Sequence, residues 1–365
     1  RDWQPMGWLF MVAACGILAF YAVLMGWTAQ TLLHALNVGL PQSMDDAKLF
    51  FDGISGGNSA LAGQAISLLL TALVVSAGVQ AGIERLSRWA LPLLFLLLVA
   101  LAIWASTLPG AMDGYKTFLL RWDGRELMNI TTIRNAFSQA FFSIGTGIGS
   151  IMAYSAYLNR RAPVPQEAVS VVGLDTAVGL LAGMLTFPVV MSFSLGDAVD
   201  ESTIGTIFLA LPTGLASIGE TGRIVAVAFF SLAYLAAITS SVSLLEVPVA
   251  SLMDRFNWSR SEATWFSAGV IFVFGLPAAT NLKVLGAMDA LFGGVLLIAG
   301  GLLIAVLMGW VVPQSFLDDL KDSSVTQPST SALILFFLRW VSPVVIAAGL
   351  LISVVDLIRN WTGQG

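Results

Sequence analysis

The stretch FFSIGTGIGS, residues 141–150, decides how this chain is read. Three glycines, Gly145, Gly147 and Gly149, fall within five residues of a long apolar segment, beside the hydroxyls of Ser143, Thr146 and Ser150. Each glycine costs a helix interior ~1 kcal/mol relative to alanine. At membrane depth an unpaired backbone group costs several kcal/mol more, so unwound backbone is tolerated there only where it is buried in protein or lines a cavity. The glycines therefore predict a helix broken into two halves, about 133–144 and 150–158. The competing reading is close helix packing through the small-xxx-small pair Gly145 and Gly149. A dinucleotide-phosphate loop has no support, because no strand precedes the glycines and no βαβ pattern surrounds them.

The rest of the chain places this segment in a membrane. Of 365 residues, 57% are hydrophobic and 11% charged, and mean hydropathy is +0.86. Soluble domains carry about 25% charged residues. Apolar runs of about 20 residues recur, as in a polytopic all-α membrane protein rather than a β-barrel of short alternating segments. A net charge of −5 gives no support for a nucleic-acid partner. One cysteine, Cys15, and one histidine, His34, leave no intrachain disulfide, no Cys/His metal cluster and no nucleophile–base pair. Nothing in the sequence points to an enzyme or an organic cofactor. Cys15 reads as a packing residue and His34 as a residue at an interfacial helix end.

Nine spans are predicted, over 7–36, 60–79, 88–108, 133–157, 168–194, 221–252, 262–279, 285–312 and 332–355, forming a single transmembrane domain over 1–365. Arginines mark alternate short loops: Arg85 and Arg88, Arg160 and Arg161, Arg255 and Arg260. By the positive-inside rule these loops face the cytoplasm. The intervening loops carry Asp45, Asp46 and Asp52, and Asp197, Asp200 and Glu201. The loop at 109–132 opposes this assignment with Lys116, Arg121 and Arg125, but it is long and also holds Asp113, Asp123 and Glu126. Residues 195–220 include an apolar stretch too short to cross, and read as a re-entrant or cap-like hairpin on the outer face. No signal peptide is visible, and the chain opens at Arg1 rather than Met, so a preceding N-terminal piece is expected.

Polar groups inside spans mark candidate sites. AAITSSVSLLE, residues 236–246, carries Thr239, Ser240, Ser241 and Ser243. These hydroxyls either bond back to their own helix or ligate a hard monovalent cation. Asp175, Glu246 and Asp289 are ionisable residues within or at the end of spans, which are functional candidates by default.

Taken in order, several segments resemble the neurotransmitter:sodium symporter family, in its bacterial amino-acid transporter branch. AFYAVLMGW (19–27) is similar to the family's third helix, and GIERLSRWALP (82–92) to the Gly-x9-Pro start of its fifth. QAFFSIGTGIGSIMAYSAYL (139–158) resembles the broken sixth, and GLDTAVGLLAG (173–183) the seventh. AAITSSVSLLE resembles the eighth and MDALFGG (288–294) the tenth. The resemblance implies an inverted five-helix-repeat transporter fold with a discontinuous helix. The chain would run from family helix 3 to helix 11, with helices 1 and 2 lying before Arg1.

The resemblance also implies roles. Ser143 and Asp175 match ligands of one sodium site, while Ala236 (carbonyl), Thr239 and Ser240 match the second. Tyr21 matches the residue that holds the substrate carboxylate, and Phe142 the aromatic lid. Gly145, Ile148 and Leu244, with Ser143 and Ser240, match the substrate pocket. Gly145 and Ile148 are smaller or less aromatic than the usual residues, so a roomy apolar pocket for a hydrophobic amino acid is expected. Asp175 stands where many members have Asn, and a fixed carboxylate there implies chloride independence; the alternative is a protonatable group in counter-transport. Asp289 matches the outer-gate carboxylate, whose usual Arg partner lies on helix 1. Glu246 belongs to the cytoplasmic pathway, with Gly82 and Pro92 loosening the fifth helix during inward release. The implied function is sodium-coupled symport by alternating access in a bacterial inner membrane, with Na+ as the co-transported ion. A lipid bilayer and a homodimer partner fit the same resemblance. Two other readings stand beside it: a proton-coupled or osmolyte transporter of this fold, and a non-transporting sensor or degenerate fragment.

Overall fold

A computed structural model describes residues 3–157, 164–195, 203–322 and 328–362. Among the described residues every regular element is helical. The long helix α1, Gln4–Asn37, leads into the short α2, Met44–Ser55, and then α3, Gly57–Ser76. A π-turn opens α4, Val79–Ser106, and α5 is Ala111–Leu119. The broken segment follows as α6, Ile130–Ile144, and α7, Ser150–Ser155. Next come α8, Val164–Ser192, α9, Thr203–Ala216, α10, Glu220–Phe256, and α11, Arg260–Thr280. The chain ends with α12, Leu282–Val311, α13, Pro313–Asp322, and α14, Thr330–Arg359.

Eight of these helices are long and apolar enough to cross a membrane: α1, α3, α4, α8, α10, α11, α12 and α14. The remaining predicted span, 133–157, fourth in the chain, is the one that is not continuous. The apolar hairpin expected over 195–220 is in part the short α9, too brief to span; its residues 196–202 lie outside the described residues, as do Arg160 and Arg161.

α1 is the central element, buried by α3, α10, α11 and α12. Between apolar helices in lipid, association relies on packing, and small residues let backbones approach closely. Ala13, Ala14, Ala19 and Ala22 are all fully buried on α1. Gly26 meets Gly63 of α3 so closely that a Cβ on Gly26 would lie 2.6 Å from the Gly63 carbonyl carbon. Trp27 fills the outer side of this core, edge-on to Phe51 of α2 and Phe208 of α9 at 5.2 and 5.9 Å. His34 ends α1 stacked on Phe50 at 4.2 Å, the helix-end position expected of it.

Candidate functional site

The site grows from the break in α6–α7. Gly145 caps α6 at φ +69°, its amide donating to the Phe141 carbonyl at 2.9 Å, and Gly149 precedes α7 at φ +76°. Side chains avoid this left-handed region by about 1–2 kcal/mol, and glycine enters it freely. The short turn between them, Thr146–Ile148, seats against α12: a Cβ on Gly147 would collide with the Leu297 carbonyl, and one on Gly300 with the Gly147 carbonyl. Breaking and close packing are therefore not alternatives here. Two glycines supply the backbone angles, and the third lets the unwound strand lie on its neighbour. The Ser150 hydroxyl bridges the gap to the Gly145 carbonyl at 3.2 Å.

A cavity of about 320 Å³ opens on this break. It gathers Tyr21 from α1, Phe142, Ser143, Gly145 and Ile148 from the broken helix, and Thr239, Ser240 and Leu244 from α10. Every residue proposed from the sequence to touch substrate thus lines one cavity. Ser87 and Leu91 of α4, Ile144 and Ser150 of the broken helix, Ser243 of α10 and Leu297 of α12 complete the walls; of these the sequence marks only Ser150 and Ser243 as candidate polar groups. No charged side chain lines the cavity among the described residues.

Asp175 of α8 lies behind this wall, not in it, and accepts a hydrogen bond from Ser143. That bond joins α8 to α6 directly before the break. On α10, Thr239 and Ser240 donate to the Ala236 carbonyl at 2.9 and 3.1 Å, and Ser243 to the Thr239 carbonyl at 3.2 Å. The back-bonded arrangement is the one seen. It leaves each hydroxyl oxygen with lone pairs to offer a cation. The Tyr21 hydroxyl meets the Ser240 side chain.

Two ionic clusters stand away from the cavity. Glu246, fully buried, takes a two-pronged bond from Arg260 of α11, Nη1 to Oε2 at 2.7 Å and Nη2 to Oε1 at 2.9 Å. Tyr157, just past α7, donates to Glu246 at 3.2 Å and accepts from Arg260 at 2.9 Å. One turn along, Tyr154 donates to Ser243 at 3.0 Å, tying α7 to α10. In the second cluster, Arg134 of α6 pairs with Asp356 of α14 and faces Asp289.

Asp289 opens the π-turn Asp289–Leu296 of α12, roughly 10 Å along the helix from its start at Leu282. Arg134, paired with Asp356, also lies near enough to Asp289 to act on it electrostatically. Arg260 reads in sequence as a loop charge setting orientation, yet it is the partner of Glu246. No local signal separates these two roles. Gly82 and Pro92 lie away from the cavity, Gly82 buried in the opening π-turn of α4 and Pro92 inside that helix.

Comparison with known proteins agrees with this architecture. The family model described as "Sodium:neurotransmitter symporter family" matches residues 51–362. The chain is 32% identical over 364 residues to the uncharacterized sodium-dependent transporter YhdH of Bacillus subtilis, covering 94% of this chain and 78% of that protein. It is 26% identical over 258 residues to sodium-dependent nutrient amino acid transporter 1 of Drosophila grimshawi, covering 68% of this chain and 39% of that one. Among solved structures, MhsT in complex with L-phenylalanine superposes with a TM-score of 0.86 at 34% identity, covering 97% of this chain and 82% of that chain.

Proposed function

The chain belongs to the sodium:neurotransmitter symporter family, sodium-dependent transporters and not enzymes, and from that premise we propose that it carries a hydrophobic amino acid by alternating access. The carrying observation is the broken Gly145–Gly149 segment opening on an uncharged cavity lined by both hydroxyls and apolar side chains. Backbone groups released from the helix ladder, with the Tyr21 hydroxyl, suit a substrate carboxylate. Ile148, Leu244 and Leu297 suit an apolar side chain. The likeness to a phenylalanine-bound transporter and to a nutrient amino acid transporter supports the same substrate class.

Sodium ions are the co-transported cargo. In this reading Ser143 and Asp175 hold one, and the Ala236 carbonyl with Thr239 and Ser240 holds the other. Hard cations take oxygen ligands, and both sets offer only oxygens. Asp175 supplies a fixed negative charge beside the first ion, so chloride is not required. Phe142 covers the substrate, Asp289 serves the outer gate, and Glu246 lies on the inner pathway with Gly82 and Pro92 allowing α4 to loosen. The setting proposed is the bacterial inner membrane.

The test is uptake of labelled phenylalanine into proteoliposomes, using protein expressed from its native reading frame. Ser240→Ala and Asp175→Ala should each weaken the dependence on external sodium. Unchanged sodium dependence in both variants overturns the ion sites. Uptake driven by a proton gradient without sodium overturns the coupling.

A further inference from the structure

α3 and α4 meet at one point and then diverge. Gly82, in the opening π-turn of α4, stands directly on the Val74 carbonyl of α3, where a Cβ would collide. From that apex the two helices splay, and a groove of about 520 Å³ runs between them over a floor that includes Leu235 of α10. Its walls are Leu73, Val74 and Ala77 on one side and Ala81, Leu86 and Leu93 on the other, all apolar. At its mouth sits Arg85, with Trp89 one turn along, 76% exposed.

The charges at this end of the helices do not cancel. Glu84 is held by Arg88 at 2.7 Å, and Glu246 by Arg260, which also reaches the Val75 carbonyl at 3.3 Å. Among the described residues, the Arg85 guanidinium has no hydrogen bond or ion pair. An unpaired cation lining an apolar groove, beside an exposed tryptophan, matches one ligand in both halves: a phosphate headgroup for the arginine and an acyl chain for the groove. Lys and Arg side chains extend to the interface in this way while their stems cover apolar surface.

We infer that the α3–α4 groove is a binding site for an anionic phospholipid, with its phosphate on Arg85 and one acyl chain between Leu73 and Leu93. Because the apex is Gly82, an occupying chain presses against the turn from which α4 starts, so bound lipid braces that turn.

The experiment is native mass spectrometry of the purified full chain in mild detergent, with phosphatidylglycerol or phosphatidylcholine of identical chains. Wild type should retain one phosphatidylglycerol, favoured about fivefold over phosphatidylcholine, the factor for one basic residue near an anionic surface. Arg85→Gln should abolish the preference while some lipid is still retained. Ala81→Phe, which fills the groove, should abolish retention of both lipids; Leu93→Gln is the second groove variant should that protein not fold. Equal retention of the two lipids by wild type, an unchanged preference in Arg85→Gln, or unchanged retention in both groove variants overturns the proposal. Displacement of the lipid by inorganic phosphate also overturns it, since a headgroup site alone would then explain the binding.

Discussion

Glu246 and Arg260 face each other through two parallel hydrogen bonds, with the carboxylate fully buried and the arginine side chain 17% exposed. Removing one member strands the other. Arg260→Ala should lower stability by about 3–5 kcal/mol, because an uncompensated buried charge remains. Glu246→Gln combined with Arg260→Gln should recover much of that loss. Thermal unfolding of the three proteins in detergent checks both expectations.

Asp175 carries the only ionisable side chain bonded to Ser143 among the described residues. Asp175→Asn keeps the shape and removes the charge. Uptake by that variant should become dependent on chloride, while wild-type uptake should be insensitive to replacement of chloride by gluconate. A variant that is equally active in both anions contradicts the charge-replacement role.

Gly145 and Gly147 serve the break for different reasons, so their alanine variants should differ. Gly145→Ala strains a residue at φ +69°, a cost of about 1–2 kcal/mol. Gly147→Ala drives a methyl into the Leu297 carbonyl, and overpacking of that kind costs about 1–3 kcal/mol and displaces backbone. Transport by Gly147→Ala should therefore be lost even where the protein still melts cooperatively.

Ile148 lines the cavity together with Leu244 and Leu297. Ile148→Phe should turn selectivity toward smaller side chains, by roughly tenfold in the ratio of kcat/KM for valine over phenylalanine. Competition of unlabelled amino acids against labelled uptake measures the ratio directly.

Arg134 joins α6, the first half of the broken helix, to α14 through Asp356, near Asp289 on α12. Arg134→Gln should slow transport while leaving equilibrium substrate binding within about threefold, as expected of a partly exposed pair worth about 1 kcal/mol or less. Exchange of the charges, Arg134→Asp with Asp356→Arg, should restore part of the rate. Comparing initial uptake rates with binding affinity separates the two effects.

Much of this was legible in the linear chain because membranes constrain it so strongly. Span lengths follow from bilayer thickness, and the cost of unpaired backbone in lipid makes a glycine cluster in a span conspicuous. The halves expected at about 133–144 and 150–158 correspond to Ile130–Ile144 and Ser150–Ser155. The grouping of Tyr21, Phe142, Ser143, Ile148, Ser240 and Leu244 in one cavity was foreseen only through family resemblance, since no periodicity links residues so far apart in sequence.

By itself the sequence determined an all-α membrane protein and the position of the helix break. Each follows from local composition set against the cost of polar groups in hydrocarbon. Only the tertiary structure decided which charges are partners. Arg260 is indistinguishable in sequence from the loop arginines around it, and becomes the counter-ion of Glu246 because α11 starts beside the buried half of α10. Arg134 meets Asp356, 222 positions away, because α6 packs on α14. Electrostatic pairing depends on separation in space, and neither spacing nor hydropathy along the chain records it.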